Sequence, residues 1–411
     1  VSGAWRLSDE NFMEPTKSWL TNLKLRASWG ISGNAAIEPY QTLSTLSGYD
    51  IYYFVGGKDI AGRIPSQMGN SELKWETTNA TNFGIDFGFL NNRISGSVDY
   101  YQTHTYDLLF LRTAPPSQVF TTVLSNVGET EGSGLEISLN TLVVKTKNFS
   151  YDINWSYATS VDKVTALTAG IDKYQVEGAN WLVVGQPVKI FYDFETNGNW
   201  NVDEFAQYKT DWETRHPGET LNYSANGAPN GYGTPGSLKI VDRNDDGKLN
   251  SDDQRVYDRS PKHILGMSNT FEYKNISLSV LLYARLGGYI SYDMNSQMNY
   301  ETANWGDLDY WTPTNTGAKF PSPGAASGLY TPYQNALKYE KADFYKIKDI
   351  TLTYNVPSKI LNSVKISNLK IYGSLKNYFT FSAIDNYDSE RGGSISFPLA
   401  KQAVVGINLQ F

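Results

Sequence analysis

The sequence predicts an all-β chain: a transmembrane, antiparallel, up-and-down β-barrel. Three observations carry this. Apolar and polar residues alternate with a period of two along most of the chain. The connections between the alternating segments are short and long by turns. Aromatic residues gather near segment ends. Composition agrees, since Tyr (29), Phe (18) and Gly (35) are abundant among the 411 residues and Met (5) is scarce, a mixture that favours strands and turns. No run of about 18 apolar residues occurs, which excludes a transmembrane helix. A barrel strand needs only about 10 alternating residues.

The chain opens on a truncated strand (1–7). VSGAWRLSDE has neither a charged start nor an apolar signal core, so the chain is expected to begin partway through a larger protein. In NLKLRASWG, Leu23, Leu25, Ala27 and Trp29 share one face, opposite Lys24, Arg26 and Ser28. Phe83, Ile85, Phe87 and Phe89 alternate with Gly84, Asp86 and Gly88. Beyond the turn at Asn91–Asn92, Ile94, Gly96, Val98 and Tyr100 interleave with Ser95, Ser97 and Asp99. Leu135, Ile137 and Leu139 oppose Glu136, Ser138 and Asn140. Phe149, Tyr151, Ile153, Trp155 and Tyr157 oppose Ser150, Asp152, Asn154 and Ser156. Later strands are expected at 263–274, 276–290, 345–357 and 367–382, the last with Leu369, Ile371 and Leu375 opposite Lys370, Tyr372, Ser374 and Lys376. KQAVVGINLQF ends the chain with Ala403, Val405, Ile407 and Leu409 on one face. The reading is about ten clear strands plus the truncated one, and no helical periodicity.

Turns at 91–92, 145–148 and 274–275 are very short and 357–367 is modest, whereas 33–74, 108–131, 162–262, 291–344 and 383–399 are long. Tight periplasmic turns and long external loops are the design of an outer-membrane barrel. The parity places residue 411 on the short-turn rim. A terminal strand with an oily face is an unprotected edge in an open sheet. In a closed barrel it is expected to pair with the first strand and turn that face to lipid. Tyr100–Tyr101, Trp155–Tyr157 and Tyr378–Phe379 suit an interfacial girdle. Lys24, Arg26, Asp86, Glu136, Asp152, Lys370 and Lys376 are expected to face a wet lumen, because a Lys or Arg facing lipid near the midplane costs about 2–4 kcal/mol. A soluble β-sandwich or propeller is the alternative, and the long loops and terminal aromatics argue against it.

A net charge of −7 without a basic patch argues against nucleic acid. The absence of cysteine excludes disulfides, Cys-type zinc sites and thiol catalysis. His104, His216 and His263 lie far apart, no nucleophile elbow or phosphate loop is present, and pairs such as Asp307/Asp309 are ordinary in loops, so no enzyme is expected. The strongest motif is DRNDDGKLNSDD (242–253). It sets oxygen-bearing side chains at loop positions 1, 3, 5, 9 and 12, namely Asp242, Asn244, Asp246, Asn250 and Asp253, with Gly247 at 6 and the Lys248 carbonyl at 7. That spacing suits a structural calcium ion stiffening the 162–262 external loop region. Asp replaces Glu at position 12, which shortens the reach of the closing carboxylate. Aromatics in the external segments offer platforms for the C–H faces of sugar rings. Tyr49, Tyr52, Trp181, Trp305 and Trp311 are the candidate substrate contacts, with Tyr53, Trp200 and Tyr310 nearby in kind.

Taken in order, several stretches resemble the SusC/RagA family of TonB-dependent outer-membrane transporters. They are NLKLRASWGISGN (22–34), LKWETTNATNFGIDFGFLNNRISGSVDYYQTHTYDLL (73–109), NVGETEGSGLEISLN (126–140), SLKIVDRNDDGKLNSDDQ (237–254), YWTPTN (310–315), YKIKDITLTYNVPSKIL (345–361) and LKIYGSLKNYFTFS (369–382). The resemblance implies a barrel of about 22 strands, of which residues 1–411 supply roughly the C-terminal half. Phe411 then looks like the C-terminal signal read by the barrel-assembly machinery. The family's signal peptide, TonB box and plug domain have no counterpart here, so gating and energising by the TonB complex belong to the parent protein. The resemblance further implies a SusD-like surface lipoprotein as lid, and import of oligosaccharides across the outer membrane of a Gram-negative bacterium. A peptide importer of the same family, or a soluble calcium-stabilised glycan-binding all-β protein, are the alternatives.

Overall fold

The structure is a computed structural model. It describes residues 1–34, 37, 39–47, 52–113, 122–167, 170–177, 180–221, 223, 232–292, 309–323, 333–361, 366–384, 388–394 and 399–410. Among these, eleven principal strands pair antiparallel in sequence order. They are β1 (Ser2–Arg6), β2 (Leu20–Asn34), β3 (Glu76–Phe89), β4 (Ile94–Tyr106), β5 (Glu129–Lys145), β6 (Phe149–Ala166), β7 (His263–Tyr273), β8 (Ile276–Leu286), β9 (Phe344–Asn355), β10 (Asn368–Ser382) and β11 (Gln402–Gln410). The chain divides into two compact units, 1–143 with 154–188, and 144–153 with 189–411.

In the first unit the registers align apolar residues into rows. Trp5 lies opposite Leu25, Leu25 opposite Ile85, Ile85 opposite Val98, and Val98 opposite Ile137. Among the described residues no layer covers this face: Phe83 is 56% exposed, and Leu25, Ile85 and Tyr100 are exposed as well. A soluble antiparallel sheet buries its apolar face on a core. This one leaves it outward, as a lipid-facing wall does. The β3–β4 turn is tight because Leu90, Asn91 and Asn92 all take positive φ, a conformation that Asn tolerates better than most residues.

The second unit repeats the pattern. One row runs Ile276, Tyr354, Ile371, Ile407, and the next Leu278, Leu352, Gly373, Val405. Val405 is 84% and Ile407 69% exposed. Residues Lys274 and Asn275 form a two-residue hairpin turn between β7 and β8. The β8–β9 register shifts between Leu281 and Leu282, leaving Lys348 as an extra residue in β9, and the β9–β10 register shifts between Ile347 and Asp349, where Asn377 and Tyr378 of β10 stand against Lys348 alone. This bulge changes the phase of alternation. Tyr345 and Ile347 before it thus share a face with Ile350, Leu352 and Tyr354 after it.

In the strand order β1 and β11 stand at the two ends of the sheet, and eleven strands make about half the circumference of a barrel of about 22. One expectation is corrected: a helix is present, α1 (Glu204–Arg215). Its signal was legible: Phe205, Tyr208 and Trp212 stand three and four apart, on one helical face. That face packs into a cluster of Trp200, Leu221, Tyr223, Tyr232, Leu238, Ile240, Leu249, Phe320 and Tyr333. The protein core of the second unit therefore lies in its loop segments, and the apolar face of its strands stays outward.

Candidate functional site

On the face of the first unit opposite the apolar rows, the sequence-predicted charges Lys24, Arg26 and Asp86 meet. Arg26 donates from Nη2 to Asp86 at 2.8 Å and to Asp99 at 2.9 Å, and Lys24 Nζ lies 3.7 Å from Asp86. Register explains the geometry, since Arg26, Gly84 and Asp99 stand side by side on β2, β3 and β4. A Cβ at residue 84 would lie 2.5 Å from the Arg26 guanidinium carbon, so only glycine leaves the guanidinium room to span β3. Asp99 was absent from the predicted set of charged residues, although its alternation with Val98 and Tyr100 already placed it on this face. Glu136 stands opposite Asp99 and is exposed. Asp152, in β6, is half-buried. In the second unit Lys370 and Lys376 share the face of Ser374, and Lys376 stands opposite Asp349 on β9. Asp349 accepts from Ser374 Oγ at 2.8 Å.

Sequence reasoning missed a second charge cluster. Lys346, with no exposed side-chain surface, donates to Asp388 at 2.7 Å and to Glu390 at 2.8 Å, and Lys348 donates to Glu390. Asp388 and Glu390 sit at a single turn of 3₁₀ helix, Ser389–Arg391, capped by the Asp388 side chain. Burial alone pushes the Glu390 carboxyl up, but Lys346 and Lys348 together hold it below the ordinary glutamate range. The signal was the alternation in KIKD: two lysines in one phase, followed by a phase change that only a bulge reconciles.

The 242–253 loop folds tightly on itself. Asp242 accepts from the Gly247 N–H and from the Tyr223 hydroxyl, both at 2.9 Å. Asp246 accepts from the Lys248 N–H at 2.9 Å, and Gly247 has φ 73°, the left-handed turn that glycine permits. Asn250 caps the 3₁₀ turn Ser251–Asp253, while buried Asp253 accepts from the Arg243 and Asn250 N–H groups at 2.9 Å. Burial pushes the Asp242 carboxyl up, and the neighbouring charges of Asp253 and Asp246 add to this. Among the described residues no three His, Cys, Asp or Glu side chains converge at metal-holding spacing. Asn244, Asn250 and the Lys248 carbonyl supply further oxygens, so the donor set remains one for a hard cation. Trp212 stacks on His216 at 4.1 Å, and its indole N–H donates to the Asp245 carbonyl, which ties α1 to this loop.

The aromatic candidates separate. Tyr52 and Tyr310 are exposed, and Trp181 is half-buried. Trp311 is buried (6% exposed) and donates its indole N–H to Asn201 at 2.8 Å. Trp200 is buried in the loop cluster. Tyr49, Trp305 and Phe411 lie outside the described residues.

Comparison with known proteins bears on this arrangement. A family model described as TonB dependent receptor-like, beta-barrel matches residues 2–377. TonB-dependent receptor P26 of Formosa agariphila is 29% identical over 438 residues, covering 100% of this chain and 42% of the relative. TonB-dependent receptor SusC of Bacteroides thetaiotaomicron is 28% identical over 418 residues, covering 99% of this chain and 39% of SusC. The fold matches the structure of the RagAB peptide transporter with a TM-score of 0.76 at 24% identity, over 100% of this chain and 43% of that one. The chain thus spans about two fifths of the length of the relatives it matches. These relatives are receptors and transporters, not enzymes. With its outward apolar rows and matching family model, the chain belongs to the TonB-dependent receptor-like β-barrel family of Gram-negative outer-membrane proteins.

Proposed function

We propose that the protein containing this chain imports oligosaccharides across the outer membrane, powered through TonB and capped by a SusD-like surface lipoprotein. The observation that carries the reading is the two-faced wall. Its apolar rows are left outward, and its opposite face carries the Arg26–Asp86–Asp99 network, the polar lining a water-filled path needs. On this reading Lys24, Arg26, Asp86, Glu136, Asp152, Lys370 and Lys376 line the lumen. Exposed Tyr52 and Tyr310, with half-buried Trp181, supply sugar-stacking surface on the loop side. No chemistry is done on the substrate. Uptake of labelled oligosaccharides and labelled peptides by a strain deleted for the gene, with and without complementation, tests this. Complementation that restores sugar uptake supports the reading. Restoration of peptide uptake alone assigns the protein to the peptide branch, the cargo named for RagAB.

The 242–253 loop is proposed to bind calcium through Asp242, Asn244, Asp246, the Lys248 carbonyl, Asn250 and Asp253, with an affinity on the order of 10⁻⁴ to 10⁻³ M. The ion would offset the repulsion among Asp242, Asp246 and Asp253 and brace the loop cluster beneath Trp212. Calcium at ten times Kd is expected to stabilise that region by about 1.4 kcal/mol, seen as slower hydrogen exchange across α1. Asp246→Ala should abolish the effect. Exchange that ignores calcium in the wild type rejects the site.

A further inference from the structure

The outward face of the first unit changes character toward its long-loop end. The apolar row of Phe83, Tyr100 and Leu135 is followed two residues on by Thr81, Gln102 and Ser133, and then by Asn79, His104 and Glu131. The period of two keeps all six on the face of Phe83 and Ile85. They line a cavity of about 400 Å³. From Phe89, at the tight-turn end of β3, to Asn79 is ten residues. That is about 33 Å along the strand, or about 25 Å of depth at a 40° tilt, the height of a barrel's apolar band. The cavity thus sits where hydrocarbon gives way to head groups. Trp29, exposed and paired with Thr81, marks the same level.

The lining selects a ligand class. Lys163 lies 3.1 Å from Glu131, and His104 lies 3.0 Å from Glu129, so the lysine and the imidazole among the described lining residues already face carboxylates. A phosphate finds no free counter-charge there. Asn79 Oδ1, in contrast, is buried without a hydrogen-bond partner among the described residues and calls for a donor. Gln102 gives its N–H to the Tyr100 hydroxyl at 2.9 Å, which leaves its carbonyl as a further acceptor. Hydroxyl-rich, uncharged rings meet these demands.

We infer that this cavity receives the sugar head group of an outer-leaflet lipid, with a ring hydroxyl donating to Asn79. A free saccharide shares that chemistry. The lipid-borne source follows from the cavity's continuity with the lipid-facing rows below it. The site is separate from the transport path and does not depend on the cargo assigned above.

The test uses the full-length protein in phosphatidylcholine nanodiscs doped with either monoglucosyl diacylglycerol or phosphatidylglycerol, with retained lipid counted by native mass spectrometry. The glucolipid is expected to be retained in preference. Asn79→Leu should lower its retention about tenfold, as expected for one lost hydrogen bond to a buried acceptor. Gln102→Leu, which leaves Asn79 in place, should lower it less, and Ser97→Ala on the opposite face should leave it unchanged. Heat-modifiable gel migration identifies folded variants. Equal retention in wild type and both cavity variants overturns the proposal, as does phosphatidylglycerol held as well as the glucolipid. Displacement of the glucolipid by free maltose overturns the lipid source.

Discussion

Tyr151 and Asn269 show how a polar residue survives on the outward face of the second unit. Asn269 stands opposite Val280, in the apolar phase of β7, yet it is buried. Tyr151 stacks on Phe271 with ring centroids 4.3 Å apart and donates its hydroxyl to Asn269 Oδ1 at 2.9 Å. Tyr151→Phe keeps the stack and removes the donor. Leaving that carbonyl unmet is expected to cost about 1–3 kcal/mol, read as a lower unfolding midpoint in detergent. Lys346 is the opposite case, a charge withdrawn from water and held by two carboxylates. Lys346→Met leaves Asp388 without its lysine and Glu390 with Lys348 alone, and should destabilise their turn by about 3–5 kcal/mol, seen as faster hydrogen exchange at Ser389–Arg391. The pH sign follows from Glu390, whose folded carboxyl is held below its ordinary value. Its contribution is present above the ordinary glutamate pKa of about 4.3. It declines as acid carries the pH down through the lowered folded value, so the turn should open in acid and stay closed at neutrality. A turn equally protected at both pH values would refute the pairing. Parity placed Lys346 on the polar face, but nothing in the local sequence announced its burial, because Asp388 and Glu390 arrive from 42 and 44 residues downstream.

At the level of single elements, the Lys348 bulge and α1 illustrate two kinds of legibility. The bulge is visible as a break in alternation, since Tyr345 and Ile347 are odd-numbered and Ile350, Leu352 and Tyr354 even-numbered. Its consequence is register. Deleting Lys348 would force either the residues before it or those after it onto the wrong face, because a one-residue slip inverts every side chain. Lys346, turned to the lipid-facing side, would also lose its carboxylate partners Asp388 and Glu390. Failure to reach the heat-modifiable folded form is the expected result. In α1, Phe205, Tyr208 and Trp212 made a short stripe that was easily lost among aromatic-rich strands. Trp212→Ala should cost about 3–5 kcal/mol in the loop cluster, and should leave the strands protected from exchange. The two responses separate because the cluster's core is made from loop residues.

The molecule as a whole is organised by which face meets which medium. Ile85 lies about 10 Å in depth from the tight-turn end, near the middle of the apolar band. Ile85→Lys is expected to lose about 2–4 kcal/mol in folding from urea into liposomes. Ser97→Lys, on the other face and opposite Asp86, should lose close to nothing. Equal penalties for both would contradict the assignment of faces. Alternation, turn length and the absence of a long apolar run were enough to establish antiparallel strands, their faces and the alternation of loop lengths. These are local properties: the period of two is built into every strand, and a lipid-facing wall asks for no complementary layer. Tertiary structure alone decided that Arg26 spans Gly84 to reach Asp99, that Trp311 packs inward while Tyr310 stays exposed, and that Trp200, Trp212, Tyr232, Phe320 and Leu337 gather into a core of their own. Such outcomes depend on register and on segments distant in sequence, and no periodicity records which distant residues will meet.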